Sequence, residues 1–317
     1  MLEILEVLFH ILIFPGLLFA VIIGLLLAGI DRKVLAHMQK RIGPPIIQPV
    51  YDFFKLWGKE NIIPDAANRT AYLAAPVIGF VALIATIVFI PIGGFSALSS
   101  GADLIIILYL LTIPAVALIV GGSASGSPFS GIGISREMVT MMAYELPLIL
   151  ILLTVAKKAG GGIMTFSFED IALWQLMNGC TVFHWATIPA ALAMLLVIPA
   201  EVGTQPFDVA EAETEICEGP LVEYSGKPLA MFKLNTAVKM FVMTSLFTAL
   251  FFGGINTGIA ILDIVIFIAI DILVTIVCMT TVHAITARLK VEHLFKFYWT
   301  IVTGLALVSL ILVWVGL

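Results

Sequence analysis

Eight long apolar segments recur along the chain, and they constrain its fold more than any other feature. They lie at about residues 7–30, 71–91, 104–122, 138–156, 185–202, 229–252, 259–282 and 297–316. Each is close to the ~20 residues that an α-helix needs to cross the hydrocarbon core of a bilayer. We therefore predict an all-α, polytopic membrane protein with about eight transmembrane helices, forming a single integral-membrane domain over residues 1–317.

Composition excludes the other broad classes of protein. Hydrophobic residues make up 61% of the sequence and charged residues only 12%, and no soluble domain can bury so much apolar surface. The sequence has no basic face of the kind that binds nucleic acid. Cys180, Cys217 and Cys278 are isolated from one another, so the ligands of an Fe–S cluster, a zinc site or a disulfide framework are lacking. We expect no cofactor in this chain.

Lysine and arginine are distributed unevenly between the two sides of the predicted bundle. Twelve fall in segments 31–70, 123–137, 203–228 and 283–296, which share one side, and two fall on the other side. Cytoplasmic loops of membrane proteins carry the excess of positive charge. These four segments are therefore predicted to be cytoplasmic, with both termini facing out.

The first of these segments contains an amphipathic stretch, "IIQPVYDFFKLWGKENIIP". Apolar side chains recur at helical spacing, with charged residues on the other side: Val50, Phe53, Phe54 and Trp57 against Asp52, Lys55 and Lys59. This pattern predicts a helix lying in the membrane interface, opened by Pro49 and closed before Pro64. Its role is either to anchor the chain or to line the entrance to a cavity.

An acidic segment separates the fifth and sixth apolar stretches. Residues 199–226 contain seven of the 21 acidic residues of the chain: Glu201, Asp208, Glu211, Glu213, Glu215, Glu218 and Glu223. If the segment is helical from Pro206 onwards, the spacing places Asp208, Glu211, Glu215 and Glu218 on one face. Such acids can simply complement a helix dipole on a solvated face. Near a bilayer, however, clustered carboxylates share protons, which favours a role in proton handling.

Ionisable residues also lie inside the apolar segments. Glu145 falls in the fourth span, Lys233 and Lys239 in the sixth, and Asp271 in the seventh. A charge facing lipid costs about 3 kcal/mol or more, so these side chains are expected to face the interior of the bundle or a hydrated cavity. Lys233 has the alternative of reaching the cytoplasmic surface, and Lys239 could form a structural ion pair with Asp271. Glu145 is predicted to act in proton transfer.

Four motifs occur in the order that characterises one family: "QKRIGPPIIQPVYDFFKLWGKENIIPDAANR", "AYELPL", "AEVGTQPFDVAEAETEICEGPLVEYSG" and "ARLKVEHLFKFYW". The sequence resembles the membrane subunit that anchors the peripheral arm of respiratory complex I (the subunit 1, or NuoH-like, family). The same family supplies the anchor of group 4 membrane-bound [NiFe] hydrogenases. Two positions resemble the hydrogenase branch and its archaeal sulfur reductase relatives. Thr204 and Thr236 stand where quinone-reducing members usually carry an arginine and a glutamate.

The resemblance implies a prokaryotic plasma-membrane subunit without a redox cofactor of its own, coupling redox chemistry to proton or sodium translocation. Its implied partners are peripheral [NiFe]-hydrogenase-like and Fe–S subunits that hold the [NiFe] centre and the Fe–S clusters, small membrane subunits, antiporter-like ion-pumping subunits and the lipid bilayer. The residues assigned to proton relay or coupling are Glu145, Glu201, Asp208, Glu211, Glu213, Glu215, Glu218, Glu223, Lys233, Lys239 and Asp271. The residues assigned to docking of the peripheral arm are Arg41, Asp52, Lys55 and Arg288.

Three other functions remain open at this point. The chain could be the quinone-site subunit of a proton-pumping NADH:quinone oxidoreductase, a free-standing ion transporter, or a passive anchor. A transporter would function alone and is expected to show repeated broken helices, and no internal repeat is visible in the sequence. A passive anchor would need the charged loops but not Glu145 or Asp271.

Overall fold

The computed structural model describes residues 8–95, 97–98, 100–161 and 163–316. Expectations about residues 1–7 and 317, including the side on which the termini lie, fall outside the described residues. Within the described ranges we number eleven helices. In chain order they are α1 (Leu17–Met38), α2 (Gln48–Trp57), α3 (Arg69–Phe89), α4 (Asp103–Ser125), α5 (Pro128–Gly160), α6 (Phe168–Asn178), α7 (Ile188–Val202), α8 (Glu213–Ile216), α9 (Gly226–Phe252), α10 (Ala260–Ile285) and α11 (Val291–Val315).

The predicted membrane spans are confirmed as helices. Among the described residues, seven helices are long and apolar enough to cross a bilayer: α1 (extended back to Leu8), α3, α4, α5, α9, α10 and α11. The eighth, α7, is a shorter apolar helix of 15 residues. The all-α, polytopic class predicted from the sequence is therefore correct.

Local sequence signals set several helix ends. The side chain of Asn68 accepts a hydrogen bond from the backbone N–H of Ala71 and caps the start of α3. Pro128 occupies the first turn of α5, where a missing N–H costs nothing. Gly126 and Gly203 follow α4 and α7 in the left-handed conformation, which terminates a helix at little cost for a residue without a Cβ.

The helices run back and forth between two ends of the bundle. The acidic segment lies at one end, here called the acidic end, and its Pro206 carbonyl accepts a hydrogen bond from the backbone N–H of Leu289, just beyond α10. The other end is called the opposite end. There the backbone N–H of Leu104, in the first turn of α4, donates to the carbonyl of Phe166, which precedes α6.

Helix α9 forms the centre of the bundle. In its most apolar window, 94% of the residues are buried within the chain. Helix α1 packs directly on it: a Cβ added to Gly24 would lie 2.7 Å from the carbonyl oxygen of Ala237, so only glycine permits this approach. Because α9 is enclosed on all sides, polar residues along it must face partners or cavities inside the protein.

Helix α2 confirms the amphipathic prediction and ends at Trp57. Its Val50 and Phe53 pack against the core, whereas the side chains of Phe54 and Trp57 are 65% and 42% exposed. Exposed aromatic side chains beside a buried apolar face are typical of a helix at a membrane interface.

The acidic segment is not the long helix considered from the sequence. Between α7 and α9 it is α-helical only over Glu213–Ile216, Gly219–Leu221 forms a single 3-10 turn, and Cys217 and Glu218 take the left-handed conformation. The four acids at helical spacing therefore do not share one helix face. The physical reason lies in the contacts of the segment: its short turns pack on α4 and α5, where Pro220 lies against Gly122 and Gly133.

Candidate proton-relay site at the acidic end

A cavity of about 440 Å³ opens at the acidic end between α1, α2 and α9. We call it the entrance cavity. Apolar residues of the three helices form part of its wall, and the remainder is strongly charged. The charged residues that line it are Asp31, Arg32, Asp52, Lys55, Lys59, Glu211 and Lys233. The location fits the second role considered for α2, that of lining the entrance to a cavity.

A smaller cavity of about 60 Å³, the inner cavity, lies deeper between α5, α7, the acidic segment and α9. Its ionisable lining residues are Glu137, Glu201, Asp208, Glu211 and Lys239. Glu211 and Thr236 line both cavities. The two spaces therefore adjoin at this pair, and Glu211 is the carboxylate between the charged entrance and the buried interior.

The innermost charges form an ion pair. The ammonium nitrogen of Lys239 lies 2.8 Å from a carboxylate oxygen of Glu201, and the two side chains are only 9% and 3% exposed. Their charges compensate each other where water is scarce. The ion pair between Lys239 and Asp271, one of the alternatives left open by the sequence, does not form. Asp271 instead accepts a hydrogen bond from Thr248, nine residues beyond Lys239, which is half a turn away around α9.

Glu137 is a member of the site that the sequence analysis missed. It interacts electrostatically with Lys239, Glu211 and Glu201. The sequence placed it in a loop, but α5 begins at Pro128 and carries it into the bundle. The sequence feature that could have identified Glu137 is its spacing from Tyr144, seven residues later, because residues seven positions apart lie on the same face of a helix.

Glu145 lies beside the inner cavity without lining it. Its carboxylate interacts electrostatically with Glu201, and its side chain is partly exposed. The preceding Tyr144 is 3% exposed, and its hydroxyl also lies near Glu201. The structure thus brings the predicted relay residue Glu145 close to Glu201.

Burial dominates the electrostatics of Glu211. Loss of solvation raises the pKa of this carboxyl above its usual value of 4.5, the positive charge of Lys233 opposes the shift, and the negative charges of Glu218 and Asp208 reinforce it. Lys233 itself is exposed and lines the entrance cavity, which agrees with a side chain that reaches towards the surface. Glu211 can therefore hold or release a proton in response to neighbouring charge.

Three ion pairs fix the loops around this site. Arg288 binds Asp208 at 2.8 Å, Arg136 binds Glu215 at 2.6 Å, and Arg32 binds Asp52 at 2.8 Å. The hydrogen bonds to Asp208 and its negative charge raise the pKa of Arg288, although partial burial opposes the shift. Partial burial acts to raise the pKa of Asp52, but hydrogen bonds from Gln48 and Arg32 outweigh it and the pKa is lowered.

The remaining predicted residues are dispersed. Glu213 is exposed, Glu218 is half-buried, and Glu223 is held close to α3 because its carbonyl accepts a 2.6 Å hydrogen bond from the hydroxyl of Tyr72. Arg41 is exposed and contacts Gln39. Two of the four residues predicted for docking, Asp52 and Arg288, are thus engaged in pairs within the chain, whereas Arg41 and Lys55 remain at the surface and the entrance cavity.

The described side chains of this site do not form a metal centre of the usual kind. Within the described ranges, no group of three or more His, Cys, Asp or Glu residues has a geometry suited to a metal ion. The cysteines in the described part of the chain, Cys180, Cys217 and Cys278, are free thiols. The acidic end therefore offers a series of carboxylates and four lysines around two adjoining cavities.

Comparison with known proteins identifies the family of this chain. The sequence profile of the NADH dehydrogenase family matches residues 10–314. The chain belongs to this family. It is 32% identical to the H-type subunit of the NADH-quinone oxidoreductase of Rubrobacter xylanophilus over 291 residues, which cover 88% of this chain and 87% of the relative. It is also 32% identical to the corresponding subunit of Geobacillus kaustophilus over 310 residues, 94% of this chain and 91% of the relative.

A solved structure gives the same result for the fold. A chain of the membrane-bound sulfane sulfur reductase, an archaeal respiratory membrane complex, is similar with a TM-score of 0.86 and 31% identity, covering 99% of this chain and 100% of that chain. The predicted resemblance to the NADH dehydrogenase family is confirmed. So is the prediction of a multi-pass membrane subunit in an energy-converting redox complex, and the sulfur reductase likeness agrees with the predicted hydrogenase and sulfur reductase branch.

Proposed function

We propose that this chain anchors the peripheral redox arm of its complex over the acidic end and transmits charge changes from that arm to ion-translocating subunits. One observation carries the proposal: the entrance cavity and the inner cavity meet at Glu211 and Thr236. Together they lead from the charged surface to the buried pair of Glu201 and Lys239. A hydrated series of carboxylates of this kind can relay protons.

The proposed relay begins at Glu211. A new charge above the acidic end would change the balance among Glu211, Lys233 and Glu218, which already interact. Because the site is partly excluded from water, such interactions are strong and the carboxylates titrate as a coupled set. A proton gained or lost at Glu211 then alters the field acting on Glu137, which interacts with Glu211, Glu201 and Lys239.

The pair of Glu201 and Lys239 forms the inner end of the relay. When Lys239 turns towards a different carboxylate, Glu201 must take a proton or remain an uncompensated buried charge. Glu145, which interacts with Glu201, is the proposed next acceptor, at the edge of the bundle. The electron-transfer cofactors belong to partner subunits in this proposal: Fe–S clusters and, in a hydrogenase-type complex, a [NiFe] centre.

The orientation of the chain follows from its charge. The acidic end contains the segments rich in lysine and arginine, and the excess of positive charge favours the cytoplasmic side. We therefore assign the acidic end to the cytoplasm of a prokaryotic cell. The peripheral arm would dock there, and small membrane subunits and antiporter-like subunits would flank the bundle in the bilayer. The similarity to a chain of the membrane-bound sulfane sulfur reductase complex supports this arrangement.

The test replaces single carboxylates in the intact complex and measures two rates. Glu211→Gln and Glu145→Gln keep the size of the side chain and remove the titrating proton. Both should retain activity of the redox arm with an artificial electron donor, and both should lower ion uptake into proteoliposomes at least tenfold. The matched control is Glu213→Gln, an exposed acid of the same segment. Normal ion uptake by both variants would refute the relay.

The entrance cavity supports a second function, that of a quinone-site subunit. Its volume of about 440 Å³ falls in the range of small-molecule sites, and the relatives are named as subunits of NADH-quinone oxidoreductases. Against this function, Thr204 and Thr236 provide no charge, and their hydroxyls donate to carbonyls of Pro199 and Phe232. We predict that the purified complex does not reduce added quinone. Quinone reduction blocked by quinone-site inhibitors would favour the second function.

A further inference from the structure

A second pair of cavities lies at the opposite end of the bundle. The outer one measures about 580 Å³ and the inner one about 40 Å³. They share Gly93, Phe168, Ala172 and Asp263 among their lining residues. We call the two together the opposite recess. None of its lining residues belongs to the relay cavities at the acidic end.

A buried carboxylate lies behind the wall of the opposite recess, in contact with one of the residues that line it. The smaller cavity of the opposite recess is lined by Thr248 of α9 and Ile270 of α10, and Asp271 is the next residue in the sequence after Ile270. Asp271 is 0% exposed. The hydroxyl of Ser245 donates to one of its carboxylate oxygens at 3.0 Å, and the hydroxyl of Thr248 donates to the other at 2.5 Å. Thr248 therefore links the cavity wall to the carboxylate.

No cation compensates Asp271 among the described residues, since the ion pairs there involve other acids. The charged residues that line the recess are themselves acidic, Asp263 and Glu169. A buried carboxylate without a cation in a membrane span costs about 3 kcal/mol or more when ionised, whereas a bound proton removes the charge.

Neighbouring helices do not supply the missing charge. Lys239 of α9 is paired with Glu201 of α7, and Asp31 of α1 accepts a hydrogen bond from Thr280, nine residues beyond Asp271. Both lie towards the acidic end. On the stretch of α9 between Lys239 and Ser245, the side chains of Phe241, Val242 and Met243 are fully buried, and the hydroxyl of Thr244 donates to carbonyls of its own helix. No ionisable side chain therefore lies on this stretch between Asp271 and the proposed relay.

We propose that Asp271, Ser245 and Thr248 form a proton-binding site that exchanges with water through the opposite recess and not through the acidic end. A proton fits the site better than a metal cation does. The three side chains provide four oxygen atoms, whereas hard cations such as Mg²⁺ and Ca²⁺ require at least six oxygen ligands. The two hydroxyls can accept from the protonated acid as well as donate to the ionised one.

Infrared spectroscopy of the intact complex tests the protonation state. The wild type should show the carbonyl band of a buried protonated carboxylic acid at neutral pH, and Asp271→Asn should remove it. Asp271→Glu should keep a shifted band, which preserves the test if the asparagine variant fails to assemble. Ser245→Ala and Thr248→Ala should shift the band. The matched control is Asp170→Asn, because Asp170 is an exposed acid that also accepts a threonine hydroxyl, from Thr165 at 2.7 Å.

Exchange of the bound proton in deuterated buffer tests the route. Ala172→Phe, which places a large side chain in the recess, should slow the deuterium shift of the Asp271 band at least tenfold. Glu211→Gln at the acidic end should leave the rate unchanged. A missing band, a band abolished by Na⁺ at constant pH, or equal exchange rates in the Ala172→Phe variant and the wild type would each overturn the proposal. These outcomes do not depend on ion uptake, so they are independent of the relay proposed above.

Discussion

The buried pair of Lys239 and Glu201 gives the most quantitative prediction. Lys239→Met keeps the length and apolar stem of the side chain but leaves Glu201, which is 3% exposed, without its cation. Removal of one partner of a buried ion pair costs about 3–5 kcal/mol, because the other charge remains in a poorly solvated site. We expect the free energy of unfolding of this subunit to fall by that amount at pH 7.

The second variant, Lys239→Met combined with Glu201→Gln, removes both charges. Replacement of a buried pair by neutral groups is often close to neutral in energy. The double variant should therefore regain most of the stability lost by Lys239→Met, because the two substitutions are coupled through the pair and their effects do not add.

These differences in stability are measured by heating the purified complex and monitoring the release of this subunit. A control is Lys233→Met, which removes the exposed lysine of the same helix and should change the stability by less than ~1 kcal/mol. If Lys239→Met is as stable as the wild type at pH 7, or if the double variant is less stable than the single one, the two side chains are not an electrostatic pair and the inner end of the relay is misassigned.

Three further predictions concern the acidic end. Burial raises the pKa of Glu211 above 4.5, so the stability that its bound proton contributes is complete below pH 4.5 and is lost as the pH rises through the raised pKa. Glu211→Gln should remove this loss of stability when unfolding is measured from pH 4 to 8. A pH profile of stability that is unchanged in the variant would contradict the raised pKa. Gly133→Ala should destabilise the chain, since its Cβ would lie 2.5 Å from Pro220, whereas Gly131→Ala meets no atom within 4 Å and should be neutral or stabilising in the same unfolding assay. Arg41→Glu combined with Glu218→Lys should release the peripheral arm from membranes in a sedimentation assay; an arm that stays bound would place docking elsewhere.

The sequence by itself determined the membrane class, the helices and the family. Apolar segments of about 20 residues can satisfy their backbone in a bilayer only as helices or closed barrels, so hydropathy located the spans before any tertiary contact was known. The amphipathic pattern around Phe53 and the motif around Asp208 were equally local signals. Orientation, docking residues and relay roles remain predictions.

Only the tertiary structure decided which charges meet. Periodicity suggested one helix for the acidic segment, but packing against α4 and α5 breaks it into short turns. Pairing depends on the faces that helices present to one another, which hydropathy does not encode: Lys239 faces Glu201, whereas Ser245 and Thr248 lie on other sides of α9 and face Asp271. Glu137 joined the site because α5 begins earlier than its apolar run. Cavities arise where several helices fail to close against each other, so their lining residues follow from the assembled bundle.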